Sequence, residues 1–344
     1  METNPYMQWL AQETPTVWWN DSAILTEQEQ AYTNGATGMT TNPVLVSGAL
    51  YGDKEMWEKK TSGVEKSLTG DAKALALIHA VTGFYAQKTM PIFDKGITGE
   101  GYVCAQVNPN FHGDTEYMVE QAKVLASWSK NIVVKLPATA AGVRAFEQCV
   151  ALGLHVAASV SFTVPQVLAV GEARERGKKL AEKNGVKPGL SIAVIMVGRL
   201  DDYLRDVAKD NMISIKESDI IQAGTACIKR AYGIFQSKGY DTFLMPAGCR
   251  GGYHVTSLAG ARMIMSIGPS IQKALEKEQK PYTQNIDHEV PKDVIERLLK
   301  INEFRRAYEP DGMCPEDFIA FGATNRTLTQ FIETGWKPIA VYKP

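Results

Sequence analysis

The 344-residue chain predicts an α/β fold, a (β/α)8 barrel with additional C-terminal helices, because eight short apolar runs alternate with helical stretches along it. The runs tend to be apolar on both faces, the pattern of parallel strands covered on both sides. No Gly-rich dinucleotide fingerprint follows the first run, which favours a closed barrel over an open sheet.

In chain order, Val17-Trp18-Trp19-Asn20-Asp21 reads as a first strand ending in polar residues, with a helix from Leu25 to Tyr32 closed by Asn34-Gly35. Gly38 to Pro43 is the second strand. The stretch from about Val44 to Gly101 is long for one crossover and holds a helical segment from Asp71 to Lys95, so extra helices are expected there. Tyr102 to Val107 is the third strand, before a helix from Asp114 to Lys130. The fourth is Asn131 to Thr139, its pairing ended by Pro137, and a helix from Ala140 to Leu152 follows. His155 to Phe162 is the fifth, before a helix from Pro165 to Asn184. Ser191 to Val197 is the sixth, with helices from Asp201 to Asp210 and from Ser218 to Lys238. Asp241 to Ala247 and Met263 to Ile267 complete the set. Two further helical stretches, roughly Pro291 to Tyr308 and Pro315 to Phe331, exceed what a barrel needs. This extension, about 290–335, is expected to cover the barrel mouth or to serve a subunit contact in a homo-oligomer. With no linker, low-complexity tract or internal repeat, residues 1–344 read as a single domain.

Composition narrows the function classes. A net charge of −1 provides no overall basic field for nucleic acid or an anionic membrane. The run Arg174 to Lys179 reads as a solvated helix face. Met1-Glu2-Thr3-Asn4-Pro5 lacks the features of a secretory signal, and no run approaches the roughly 18 apolar residues of a membrane span, so a cytoplasmic location is expected. Cys104, Cys149, Cys227, Cys249 and Cys314 are scattered and show no CxxC spacing, which indicates free thiols. The histidines show no paired ligand spacing. Neither a protein metal site nor a cofactor is expected.

The informative residue is Lys135, inside Ile132-Val133-Val134-Lys135-Leu136-Pro137 near the carboxyl end of the fourth strand, where (β/α)8 barrels carry their chemistry. A lysine taken out of water favours its neutral form, and a neutral amine can attack a carbonyl to give a Schiff base. The plain alternative is an apolar stem with its head snorkelling to solvent. Other strand ends are polar too: Asp21, Asn42, Gln106, and Ser159 with Ser161. Period-two alternation lets Asp21, Gln106, Lys135 and Ser159 face inward together, and four such groups at one mouth are hard to explain as core filling. In a Schiff-base mechanism Lys135 attacks a ketone, Asp21 moves protons at the hydroxyl next to the broken bond, and Gln106 with Ser159 holds the water. Asn42 would orient Lys135 or a substrate hydroxyl, or simply form an Asn-Pro turn. Arg199, after Gly198, and Arg250, before Gly251-Gly252, suit an oxyanion, or else pair with structural carboxylates such as Asp201 and Asp202.

These segments resemble the transaldolase family of class I Schiff-base enzymes. Thr40-Thr41-Asn42-Pro43 is similar to its TTNP signature, and Val133 to Thr139 to the segment bearing its imine-forming lysine. Trp19 to Ser22, Ser161-Phe162 with Gln166, Val197-Gly198-Arg199, Ala247 to Arg250, Leu258 to Gly260 and Phe304 to Met313 match as well. The resemblance runs from about Val17 to Phe331. It implies a ketose bound as an imine on Lys135, retro-aldol cleavage assisted by Asp21, and transfer of a dihydroxyacetone enamine to an aldehyde. Ser159 matches a threonine beside the catalytic water; Thr41, Asn42 and Ser161 are expected to bind substrate, and Arg199 and Arg250 to hold the sugar phosphate. The chain departs from the usual pattern at Gln106, where the family has glutamate, and at Ala157, Val194 and Met196. Gln106 and Ala157 are similar to the fructose 6-phosphate aldolases. An aldolase-type lyase and a transaldolase for an unusual ketose, such as a sulfonated sugar, therefore remain alternatives. So do a non-catalytic sugar-phosphate binder and an isomerase in which Lys135 acts only through its charge.

Overall fold

The computed structural model describes residues 3–343, so Met1 and Glu2 of the N-terminal stretch discussed above lie outside the described residues. Its centre is a sheet of eight parallel strands: β1 (Val17–Asn20), β2 (Gly38–Met39), β3 (Val103–Gln106), β4 (Ile132–Pro137), β5 (Val156–Ser159), β6 (Ser191–Ile195), β7 (Phe243–Pro246) and β8 (Ile264–Ile267). Hydrogen-bonded neighbours run β7-β6-β5-β4-β3-β2-β1-β8, and β7 lies beside β8 to close the ring. This is the expected (β/α)8 barrel. Every strand residue except Val17 is buried, which is why the runs are apolar on both faces.

The helical layer differs from the expected one in several places. Pro5–Gln12 forms an unexpected helix before β1, capped by the Asn4 side chain. The long β2–β3 crossover carries three helices, Pro43–Gly52, Lys54–Lys60 and Gly70–Phe93. Strand β5 stops at Ser159 because Val160 takes a left-handed conformation, φ 53°. Strand β6 stops at Ile195, and its helix, Val197–Asp210, begins four residues before Asp201. The stretch from Ser218 to Lys238 is two helices, Glu217–Ile220 and Ala223–Lys238. The second starts afresh where the Gly224 N–H turns to the Asp201 carboxylate, 2.8 Å away. Pro291 to Tyr308 likewise divides into Lys292–Leu298 and Asn302–Tyr308.

The C-terminal segment continues past the expected limit. A 3₁₀ turn at Pro315–Ala320 leads to helix Gly322–Gln330, a π-helical turn at Phe331–Trp336 and a last helix, Lys337–Val341. The π turn packs on helix Pro43–Gly52 and the last helix on Gly70–Phe93. Trp336 Nε1 donates to Asp71 Oδ1 at 2.7 Å, which fixes the segment there. No described helix is long and apolar enough to cross a membrane.

Candidate active site

Register brings the expected residues to one face. Gln106 pairs with Lys135, and Lys135 with Ala157, in the β3–β4–β5 ladders; partners in parallel strands point the same way. Ser159 lies two residues beyond Ala157 and shares that direction. Through Met39↔Val103 and Trp19↔Gly38 the same face continues to Thr40 and Asp21, each two residues further on. Thr40 Oγ1 donates to Asp21 Oδ1 at 2.7 Å, and the same oxygen lies 2.7 Å from Ser266 Oγ on β8. The network spans three adjacent strand ends and holds a half-buried carboxylate inside the mouth. Thr40 and Ser266 were not singled out from the sequence: Thr40 stood only inside the TTNP stretch, and Ser266 looked like an ordinary strand residue.

Lys135 is 7% exposed, so its head does not snorkel to solvent. Its Nζ donates to the carbonyl oxygen of Thr41 at 2.9 Å, and no carboxylate lies within ion-pair distance among the described residues. Thr41 therefore serves the site through its main chain, while its hydroxyl turns away to Cys104 O at 2.6 Å. The thiol of Cys104 is held up at about 11, chiefly by burial, and is not equipped to act as a thiolate nucleophile at neutral pH.

Gln106 is buried, and its Oε1 has no partner among the described residues, an orphan acceptor that a water or substrate hydroxyl would satisfy. Ser161 Oγ is buried and equally unpartnered, and Ser159 is buried beside Lys135's strand. Between the two serines stands Val160, a β-branched residue in the left-handed region, strain that costs about 1–3 kcal/mol and persists only where its surroundings impose it. Those surroundings are visible. Gln166 Oε1 accepts from Phe162 N at 2.9 Å, and its Nε2 donates to Ala138 O at 3.1 Å, tying the β5 turn to the end of β4. Asn42 is used locally as well: its Oδ1 caps helix Pro43–Gly52, accepting from Val44 N at 2.9 Å and Leu45 N at 3.1 Å. Only its amide N–H groups remain for a ligand.

The two arginines are in different electrostatic states. Gly198 lets their segments touch, since a Cβ there would lie 2.5 Å from both Arg250 Cγ and the Gly248 carbonyl oxygen. Arg250 is exposed; its Nε donates to Asp202 Oδ2 at 2.7 Å and its Nη1 to Gly248 O at 2.9 Å. Arg199 is half-buried, and Asp201 and Asp202 are not its partners. Its Nη1 donates to the neutral amide oxygen of Gln330 at 2.5 Å, and the Phe331 ring lies 5.8 Å from the guanidinium carbon. Burial, then the charge of Arg250, push its pKa down, although Asp21 and Asp202 pull it the other way. Asp201 instead pairs with His254 inside the protein. His254 Nε2 donates to Asp201 Oδ2 at 2.9 Å, and Nδ1 accepts from the Arg250 N–H at 3.1 Å. Neither this pair nor Gln330 carried a local sequence signal.

An amine set among carboxylate, amide and hydroxyl groups at the carboxyl end of a (β/α)8 barrel defines a class, barrels equipped for carbonyl chemistry at a lysine. The sequence matches the family model Transaldolase/Fructose-6-phosphate aldolase over residues 18–316, and the chain belongs to that family. It is similar to a transaldolase of Thiobacillus denitrificans, 26% identical over 62% of this chain and 60% of that protein. A transaldolase of Acidobacterium capsulatum is 25% identical over 75% of this chain and 74% of its own length. One from Neisseria meningitidis serogroup C / serotype 2a is 29% identical over 54% of both. The chain thus spans between about half and three quarters of these relatives.

Proposed function

We propose that the chain transfers a dihydroxyacetone unit from an anionic ketose to an aldehyde acceptor through an imine on Lys135. The carrying observation is Lys135 itself: buried, inward, and held by a neutral carbonyl with no carboxylate partner among the described residues. The free amine attacks the ketone carbon, and water leaves with the carbonyl oxygen to give the imine. Asp21 takes the proton from the hydroxyl on the β-carbon, the second from the imine carbon, as the Cα–Cβ bond breaks, releasing that carbon as an aldehyde and leaving an enamine on the lysine. The enamine carbon attacks the acceptor aldehyde, whose oxygen receives the proton back from Asp21. Hydrolysis then frees Lys135.

The orphan Gln106 acceptor supports an ordered water in this cycle, but an amide cannot exchange a proton with it. The transaldolase relatives favour transfer, whereas Gln106, shared with the fructose 6-phosphate aldolases, keeps the simple cleavage of an aldolase-type lyase as the alternative. The half-buried Arg199, hydrogen-bonded to a neutral amide with no carboxylate at ion-pair distance among the described residues, supports an anionic donor, phosphate being the group that the arginines suit, with sulfonate as the alternative. The test is borohydride reduction with fructose 6-phosphate and with dihydroxyacetone, followed by mass analysis. A dihydroxyacetone-type adduct on Lys135, lost in Lys135→Arg, is expected, because a guanidinium is not deprotonated. Turnover with an unmodified Lys135 would overturn the covalent mechanism, and absence of both adduct and turnover would leave a binder.

A further inference from the structure

Of the two arginines placed at the mouth, Arg250 pairs with Asp202, whereas Arg199 has no carboxylate at ion-pair distance among the described residues, and its polar partner comes from the C-terminal segment, 131 residues away. A guanidinium only donates, so the Gln330 amide must turn its oxygen toward Arg199. Its NH2 group has no acceptor among the described residues. The amide is held in place from both sides. Phe331 lies against the same guanidinium, and five residues after Gln330 the chain rests on the start of helix Pro43–Gly52. There, a Cβ on Gly335 would lie 2.7 Å from the Pro43 carbonyl carbon. The C-terminal segment therefore bridges the strand end bearing Asn42 and the one bearing Arg199.

The geometry points to Gln330 as a specificity-determining residue, which orients Arg199 through Oε1 and donates an N–H to the same anionic oxygen of the donor. This deepens the reading of an anionic ketose and rests on it. The neutrality of the side chain matters. A glutamate here would pair with Arg199, cancel its charge and repel the anion, whereas glutamine leaves the charge for the ligand and adds a donor. The ligand class is a tetrahedral monoanion or dianion on the terminal carbon, phosphate or sulfonate alike.

The experiment compares the full chain with Gln330→Glu and Gln330→Asn, the latter too short to reach Arg199 but equally polar. Steady-state kcat and KM are measured with fructose 6-phosphate and with uncharged dihydroxyacetone as donors, with inorganic phosphate as inhibitor. Gln330→Glu is expected to raise KM for the phosphorylated donor, and Ki for phosphate, by about tenfold to a hundredfold, the worth of a charge-assisted hydrogen bond. Parameters for dihydroxyacetone should stay within roughly twofold, since that donor has no anion for the grip to hold. Gln330→Asn should shift in the same direction by a smaller factor. An unchanged preference for the charged donor in both variants, or an equal loss on both donors, overturns the assignment. Borohydride trapping with dihydroxyacetone separates this outcome from failure of the imine reading. A variant that still labels Lys135 but keeps its donor preference refutes Gln330 alone, whereas an unlabelled parent chain refutes the mechanism beneath it.

Discussion

Thr40 Oγ1 donates to Asp21 Oδ1 at 2.7 Å while lying 2.7 Å from Ser266 Oγ, so one hydroxyl aims the carboxylate at the mouth and a second, from β8, holds the first. If Asp21 moves the proton, Asp21→Asn should lower kcat by about a hundredfold or more, the usual worth of general acid–base catalysis. Thr40→Val leaves the carboxylate but removes its guide, and a smaller loss, about tenfold, is expected. Rapid-quench rates of retro-aldol cleavage in the two variants decide the matter. An Asp21→Asn enzyme that keeps most of its rate would place the proton carrier elsewhere.

Arg199 and Arg250 should be unequal. Asp202 already partly neutralises Arg250, which is exposed, whereas Arg199 is half-buried with only a neutral amide for a partner. Arg199→Ala is expected to raise KM for an anionic ketose by about tenfold to a hundredfold with little change in kcat, and Arg250→Ala by a smaller factor. KM values for fructose 6-phosphate in both variants test the order. Arg250→Ala being the more harmful would show that Asp202 yields its partner to the substrate.

The Asp201–His254 pair should matter for stability. Both side chains are fully buried, and burial pushes the Asp201 carboxyl pKa up against the opposing pull of His254 and the Gly224 N–H. His254→Leu leaves that carboxylate with one donor and the Arg250 N–H without its acceptor, a change of the kind that costs about 3–5 kcal/mol. Asp201→Asn keeps one oxygen but turns an NH2 toward a donor, for about 1–3 kcal/mol. Urea unfolding gives both numbers. A His254→Leu protein as stable as the parent would mean that water replaces the imidazole.

The barrel was legible because its strands are short and buried on both faces, so each appears as an apolar run, and period two then puts Gln106 opposite Lys135. Less legible was whatever depends on contacts distant in sequence. Val160 looked like a strand residue, yet the Gln166 clamp holds it at φ 53° and ends β5 early. Thr41 was expected to bind substrate from its place in the TTNP stretch, and nothing local indicated that its hydroxyl would donate to the Cys104 carbonyl while its main-chain carbonyl meets Lys135. The neighbours Asp201 and Asp202 were natural partners for Arg199 by proximity in the chain. A helix sends successive side chains about 100° apart, however, and they reach His254 and Arg250 instead. Gln330 lies in a polar helix with nothing local to distinguish it.

Gln106 offers the sharpest test of how the enamine is discharged. Its Oε1 is buried and unpartnered among the described residues, and its strand position is directly opposite Lys135. Glutamine there can orient a water but not exchange a proton with it, so release of free dihydroxyacetone, which needs enamine protonation and imine hydrolysis, must draw its proton from Asp21. Gln106→Glu places an ionisable carboxyl in the same buried space. It gives the water a proton partner and is expected to change the ratio of transfer product to free dihydroxyacetone by a few-fold or more, while a charge pair with Lys135 would slow the first attack. The measurement is the ratio of transfer product to free dihydroxyacetone over a range of acceptor concentrations, for parent and variant. An unchanged ratio alongside an unchanged trapping rate would show that residue 106 handles neither the water nor the amine.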